Sequence, residues 1–216
     1  MKILSSVIFI LVLISGCSFE TPPNDWQYKS VNAFDTYTKD FLRSNDIAAK
    51  NDIKRAISHA KKSADLTSLA RIYLGVCALN ISVGIDDRCQ AYLDIRDVVA
   101  QDELDAYYAF LTSSLKKEDV KKLPKRYHDF AYSLLKEEYK DANEDVKDMQ
   151  KVTSKLLTSA LLKEKISKEN ILNVIESASF RGYKKAVLYW LKRLRDITSD
   201  KDEISRIDKK ILILTQ

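Results

Sequence analysis

The sequence predicts an all-α protein whose antiparallel helical hairpins stack into a short α-solenoid, with an irregular helical bundle as the alternative. Three observations lead there. Breakers are scarce: 216 residues hold only 4 glycines and 3 prolines, too few for the turns of a hairpin-rich β fold. Apolar residues recur at three- and four-residue steps along nearly the whole chain, which is the period of a helix face. Lys, Leu, Ala, Glu and Asp are abundant, a mixture that suits helices joined by short polar links.

The elements follow in order. Val31, Phe34, Tyr37, Phe41 and Leu42 make one stripe, ended by Asn45-Asp46. Ile47, Ile53, Ala56, Ile57 and Ala60 make a second. Asp65 caps a third helix carrying Leu66, Leu69, Ile72, Tyr73, Val76 and Leu79, and Gly84 stops it in the left-handed region. Asp86 or Asp87 caps a fourth with Cys89, Tyr92, Leu93 and Val99. A fifth runs from about Asp102 to Leu115 with Leu104, Tyr107, Tyr108 and Leu111 inward. Pro124 suits the first turn of a sixth, with Tyr127, Phe130, Ala131 and Leu134. Asn143 opens a seventh that continues through Val146, Met149 and Leu156 to Ala160. Ser167 opens an eighth with Ile171, Leu172, Ile175 and Ala178. Gly182 separates it from a ninth over Tyr183–Ile197, and Ser199 caps a last one ending in Ile211-Leu212-Ile213-Leu214. Links this short make consecutive helices antiparallel neighbours.

The chain starts MKILSSVIFILVLISGCSFETPPN. One lysine, an apolar stretch from Ile3 to Ile14 and then Ser15 and Gly16 form a secretory signal, too short for a transmembrane helix. Leu13-Ile14-Ser15-Gly16-Cys17 resembles the lipobox of bacterial lipoproteins. The resemblance implies cleavage after Gly16, a diacylglycerol thioether on Cys17 and acylation of the new amino terminus. Two or three acyl chains hold to a membrane far more firmly than one. Three segments result: a signal peptide over 1–16, a lipidated tether over 17–24 and a helical domain over 25–216. Ser18 stands where many such lipoproteins carry an inner-membrane retention Asp, so the expected location is the outer membrane of a bacterial envelope.

The mature chain keeps a mildly basic balance, with both signs mixed along it rather than blocked. That is the pattern of solvated helix faces and not of a nucleic-acid footprint. Export places Cys77 and Cys89 in an oxidising compartment. Twelve residues and one turn separate them, and positions equidistant from a hairpin turn face each other, so a Cys77–Cys89 disulfide is expected. The alternative is two buried free thiols.

Two stretches look alike: SLARIYLGVCALNISVGIDDRCQAYLDI from Ser68 and ENILNVIESASFRGYKKAVLYWLKRLRDI from Glu169. Each resembles the tetratricopeptide (TPR) repeat and its Sel1-like relatives, with Gly75 and Ala78 or Ala178 where paired helices approach, and Ala186 and Trp190 on the second helix. The family's proline after that helix is missing in both. The resemblance implies a concave surface that binds protein segments.

Catalytic signatures are sparse. His59 and His128 have no histidine or cysteine at ligand spacing, and the chain lacks H-E-x-x-H, G-x-S-x-G and a glycine-rich phosphate loop. No metal or cofactor is expected. Glu176-Ser177 is similar to the Glu-Ser of lytic transglycosylases, whose glutamate works as general acid and base, but their Gly-Leu-Met-Gln segment is absent. Tyr107, Tyr108, Tyr127 and Tyr132 are candidates to line a partner groove, with core packing as the plainer reading. Basic clusters at Lys116-Lys117, Lys121-Lys122, Lys125-Arg126, Lys184-Lys185 and Lys192-Arg193-Arg195 are solvated surface or contacts for an acidic partner. The expected role is therefore non-catalytic: a lipid-anchored scaffold or adaptor holding another envelope protein. The alternatives are a glycan-cleaving enzyme using Glu176 and a surface lipoprotein that meets host molecules.

Overall fold

The computed structural model describes residues 25–216. Among them are twelve α-helices and three 3₁₀ turns, and no strand. The chain is all-α, as expected. Cys17 and the signal lie outside the described residues.

Helices α1 (Asp25–Arg43) and α2 (Asp46–Lys62) form the first hairpin. Their contact is close because small residues line it: Ala33, Ala56 and Ala60 are buried, and the Ser30 hydroxyl donates to the Ala56 carbonyl at 2.9 Å. The inward face of α1 is thus Ser30, Ala33 and Tyr37, so Val31 points out and is 55% exposed. Ile47, expected inward, is 83% exposed because it sits in the first turn of α2, whose buried face is the alanine row. Leu172 is also exposed rather than inward.

Helix α3 (Leu66–Ser82) is the central strut. Asp65 caps it, accepting from the Ser68 amide at 3.0 Å, as the sequence predicts. It is apolar almost all round, which is what a buried helix requires. It packs against α1, α2, α6 (Asp102–Leu111) and α9 (Val152–Leu161). Gly84 then adopts φ +74°, and a Cβ there would lie 2.0 Å from the Tyr189 ring, so both backbone and space require glycine.

Between α3 and α6 the expected fourth helix is two single turns, α4 (Gln90–Leu93) and α5 (Arg96–Val99). After α6 come 3₁₀ turns at Lys117–Lys122 and Lys125–Tyr127, then α7 (His128–Leu135). The expected seventh helix is two, α8 (Tyr139–Asp148) and α9, so Asn143 lies inside a helix rather than opening one. A 3₁₀ turn at Lys163–Lys165 leads to α10 (Lys168–Phe180), α11 (Lys184–Ile197) and α12 (Lys201–Thr215). Ser167 caps α10 through the Asn170 amide, as expected, whereas α12 is capped by Asp200 and not Ser199.

Neighbouring hairpins form at α1–α2, α7–α8 and α10–α11. The chain also closes on itself, since α3 packs against α9 and α1 against α11. The Lys185 ammonium reaches Asp46 at 2.7 Å and stands 4.2 Å from the Phe41 ring centroid, joining the last third of the chain to the first. One core runs from Tyr37 to Ile207 through these contacts.

Scarce glycine does not mean scarce left-handed turns. Among the described residues seven non-glycine residues have positive φ, including Ser113 at 58° and Glu137 at 59°. Both end helices with the 6→1 bond of a Schellman cap, Ser114 N–H to Ala109 O at 2.8 Å and Glu138 N–H to Ser133 O at 2.9 Å. A side chain in this region costs about 1–2 kcal/mol. Glu137 is exposed, so Glu137→Gly is expected to stabilise the protein by about 0.5–1 kcal/mol after the unfolded chain's gain in entropy is counted. Urea unfolding should show a higher midpoint with an unchanged slope.

Candidate functional site

Four aromatic rings gather where α6, the Lys125–Tyr127 turn and α7 meet. Phe110 lies 5.2 Å from Tyr127 and 6.1 Å from Phe130 by centroids, and Tyr107 lies 6.1 Å from Tyr127. The α6 pair is spaced i, i+3, which puts Tyr107 and Phe110 on one face. The Tyr127 hydroxyl is within hydrogen-bond distance of Ser154 Oγ on α9, at 3.1 Å. Burial pushes the Tyr107 phenol well above its ordinary pKa, and Tyr127 beside it adds to the rise. The Tyr107 phenol is therefore a neutral hydrogen-bonding group at physiological pH.

This cluster borders a cleft of about 390 Å³. Phe34, Gly75, Tyr107, Tyr127, Leu157 and Tyr183 line it. Gly75 keeps it narrow: a Cβ there would fall 2.4 Å from the Phe34 ring. Lys39, Arg126 and Lys151 stand on its exposed rim, with Asp35 as the one carboxylate. Arg126 also lies 5.3 Å from the Tyr127 ring centroid. A second cleft of about 410 Å³ shares Arg126, Lys151 and Ser154 with the first and continues along Asp129, Asp145, Asp148 and Met149. Burial and then the neighbouring Asp129, Asp141 and Asp148 push the Asp145 carboxyl above its ordinary value, although the Ser133 hydroxyl donates to it at 2.7 Å. Phe110 also lines a further cleft of about 570 Å³, whose walls include Leu115, Leu134, Leu161 and Leu162.

Ion pairing is uneven within the basic clusters. Lys122 bridges Asp102 and Asp119, Arg193 meets Glu164 and Arg195 meets Asp208. Among the described residues no carboxylate lies within ion-pair distance of Lys39, Arg126 or Lys151. Sequence reading flagged Arg126 only as part of a basic run, and Lys39 and Lys151 not at all. Local sequence carries no signal for them, because they converge from α1, a 3₁₀ turn and the α8–α9 link.

The four candidate tyrosines do not share one surface. Tyr107 and Tyr127 line the first cleft. Tyr108 pairs instead with Tyr92 at 5.6 Å, under Arg96 at 5.7 Å. There Tyr92 and Arg96 both donate to Asp105 Oδ1, at 2.6 and 2.7 Å, a local structural network. Tyr132 packs half-buried against the core.

Cys77 and Cys89 lie at disulfide distance, with sulfurs 2.00 Å and Cα atoms 5.2 Å apart. Asp87 is close enough that the three ligand atoms lie within 4.8 Å, but paired sulfurs offer no thiolate to a metal. Its carboxylate instead accepts from the Cys89 amide and the Asn80 amide group, both at 2.7 Å, and so shapes the loop. Glu176 is exposed on α10, Ser177 beside it is half-buried, and none of the clefts described includes either. His128 Nε2 is 2.9 Å from the Leu123 carbonyl, and His59 lies half-buried on α2. Of the small residues in the two look-alike stretches, Ala78, Ala178 and Ala186 are buried, as is Trp190. The second stretch forms the α10–α11 hairpin, whereas the first is α3 followed by a loop and a single turn.

Among the described residues no helix is long and apolar enough to cross a membrane. Compared with protein-family models, curated proteins and solved structures, the chain matches none of them.

Proposed function

We propose that this chain is a lipid-anchored adaptor of the bacterial envelope, non-catalytic, which holds a partner protein in the cleft of Tyr107 and Tyr127. One observation carries the binding part of the reading: unpaired cations and aromatic rings from distant parts of the chain converge on a single opening. Aromatic anchors in a concave, partly apolar site with a few polar groups are the usual make-up of a recognition site. The anchor rests on Leu13-Ile14-Ser15-Gly16-Cys17. A lipid on Cys17 and a short tether with two prolines would let the helical domain stand off the membrane. No cofactor, metal or nucleic acid enters this role.

Two variants test it in the native bacterium. Cys17→Ser is expected to abolish labelling of the protein by radioactive palmitate and to leave an uncleaved precursor on gels. Tyr107→Ala is expected to keep the protein folded and membrane-bound while removing a stoichiometric co-purifying envelope protein. Unchanged palmitate labelling and normal processing of Cys17→Ser would sink the anchor. Retention of the same partner by Tyr107→Ala would sink the cleft as its seat. Measurable glycan cleavage lost in Glu176→Gln would favour the enzyme instead.

A further inference from the structure

We infer that the two joined clefts take an extended peptide segment of mixed charge, with acidic side chains over the aromatic end and a basic side chain over the aspartate end. The inference rests on the adaptor reading and deepens it by naming the kind of segment held.

Charge complementarity commits the site to this occupant. At the aromatic end Lys39, Arg126 and Lys151 outnumber Asp35, and none of the three cations is paired among the described residues. At the other end Asp129, Asp145 and Asp148 outnumber the shared Arg126 and Lys151. Polarity therefore reverses between two clefts that share Arg126, Lys151 and Ser154. A uniformly anionic polymer or a sheet of acidic headgroups would meet three carboxylates at that end, and a uniformly basic segment would meet three cations at the other. A chain that changes sign along its length satisfies both. The aromatic rings and Leu157 supply an apolar seat for one side chain between the charged ends. Burial first, and then the acidic neighbours, raise the Asp145 carboxyl, and a cation bound beside it would favour its charged form. Exposed rim charges of this kind act through sign selection and association rate, and salt weakens them.

The test uses the full-length chain solubilised in mild detergent and four fluorescent peptides of about twelve residues, roughly 40 Å when extended. Each carries a central Leu-Phe pair, flanked by Glu on one side and Lys on the other, or by Glu only, Lys only or Gln only. Anisotropy titrations should rank the Glu/Lys peptide tightest. The charge-reversed Arg126→Glu/Lys151→Glu protein should bind it about tenfold more weakly and turn its preference to the Lys-only peptide. Equal binding of the Gln-only peptide, lost in Tyr107→Ala, would overturn the charge assignment while leaving the aromatic cleft as a peptide site. Tightest binding of the Glu-only peptide would overturn it in favour of a polyanion. Failure of every peptide to bind folded protein would overturn the inference and the cleft together.

Discussion

Replacing Asn143 by alanine is expected to destabilise the fold by about 3–5 kcal/mol, since a buried side chain that makes four hydrogen bonds is lost at once. The Asn143 amide donates to the Tyr139 carbonyl at 2.7 Å and the Lys165 carbonyl at 3.0 Å. Its Oδ1 accepts from the Ser167 amide and from Asn170 Nδ2, both at 2.8 Å. One buried side chain thus ties α8 to the link before α10 and to α10 itself. Without it the Lys165 carbonyl and the Ser167 amide lose this partner, and Asn170 Nδ2 keeps only its bond to the Asn143 carbonyl at 2.8 Å. Asn143→Asp is no rescue, because an acceptor-only group would face two carbonyl oxygens. Asn170→Ala should cost less, about 1–2 kcal/mol, although Asn170 is wholly buried: its own Oδ1 has no partner, so truncation also removes an orphan. Thermal unfolding should show Asn143→Ala melting roughly 6–20 °C lower. Equal effects for the two alanine variants would show that the clamp does not work through Asn143.

Loss of the Cys77–Cys89 link comes next, at about 3 kcal/mol on the chain-entropy estimate for a loop of this length. Both cysteines are buried, at 1% and 2% exposure, so the bond ties the central strut to the loop that follows it. It also helps hold Cys89 in the left-handed region at φ 56°. Cys77→Ala/Cys89→Ala is expected to melt roughly 6–12 °C below the oxidised protein. The reduced wild type should melt close to the variant, and reductant should act slowly on the folded protein because neither sulfur is exposed. If oxidised wild type and variant melted together, the pair would contribute no constraint.

Much of the helix pattern was legible locally. Asp65, Ser167 and Gly84 mark their helix ends by chemistry that acts within a few residues, namely a side-chain acceptor for a free amide or a missing Cβ. Other breaks had no such mark. The helix expected to reach Leu115 stops at Leu111, and the one expected from Asn143 to Ala160 breaks after Asp148. In the first of these Ser113 adopts the left-handed conformation glycine would signal, closed by the Ser114 N–H to Ala109 O bond. Val31 and Ile47 misled for a related reason. Periodicity shows that a face exists, but a neighbour lined with alanine decides which face is buried.

The amino-acid sequence by itself determined the helical class, the caps at Asp65 and Ser167, the tight glycine at position 84 and the pairing partners Cys77 and Cys89. Each follows from forces acting over a turn or a hairpin. Only the tertiary structure decided that α1 meets α11 and α3 meets α9, and that Tyr107 and Tyr127 share a cleft from which Tyr108 and Tyr132 are excluded. It also decided that Lys39, Arg126 and Lys151 meet there unpaired while Lys122, Arg193 and Arg195 are spent on carboxylates. Charge pairing and groove lining depend on which distant surfaces the closed helix array brings together, and that is set by burial of the whole core rather than by any one segment.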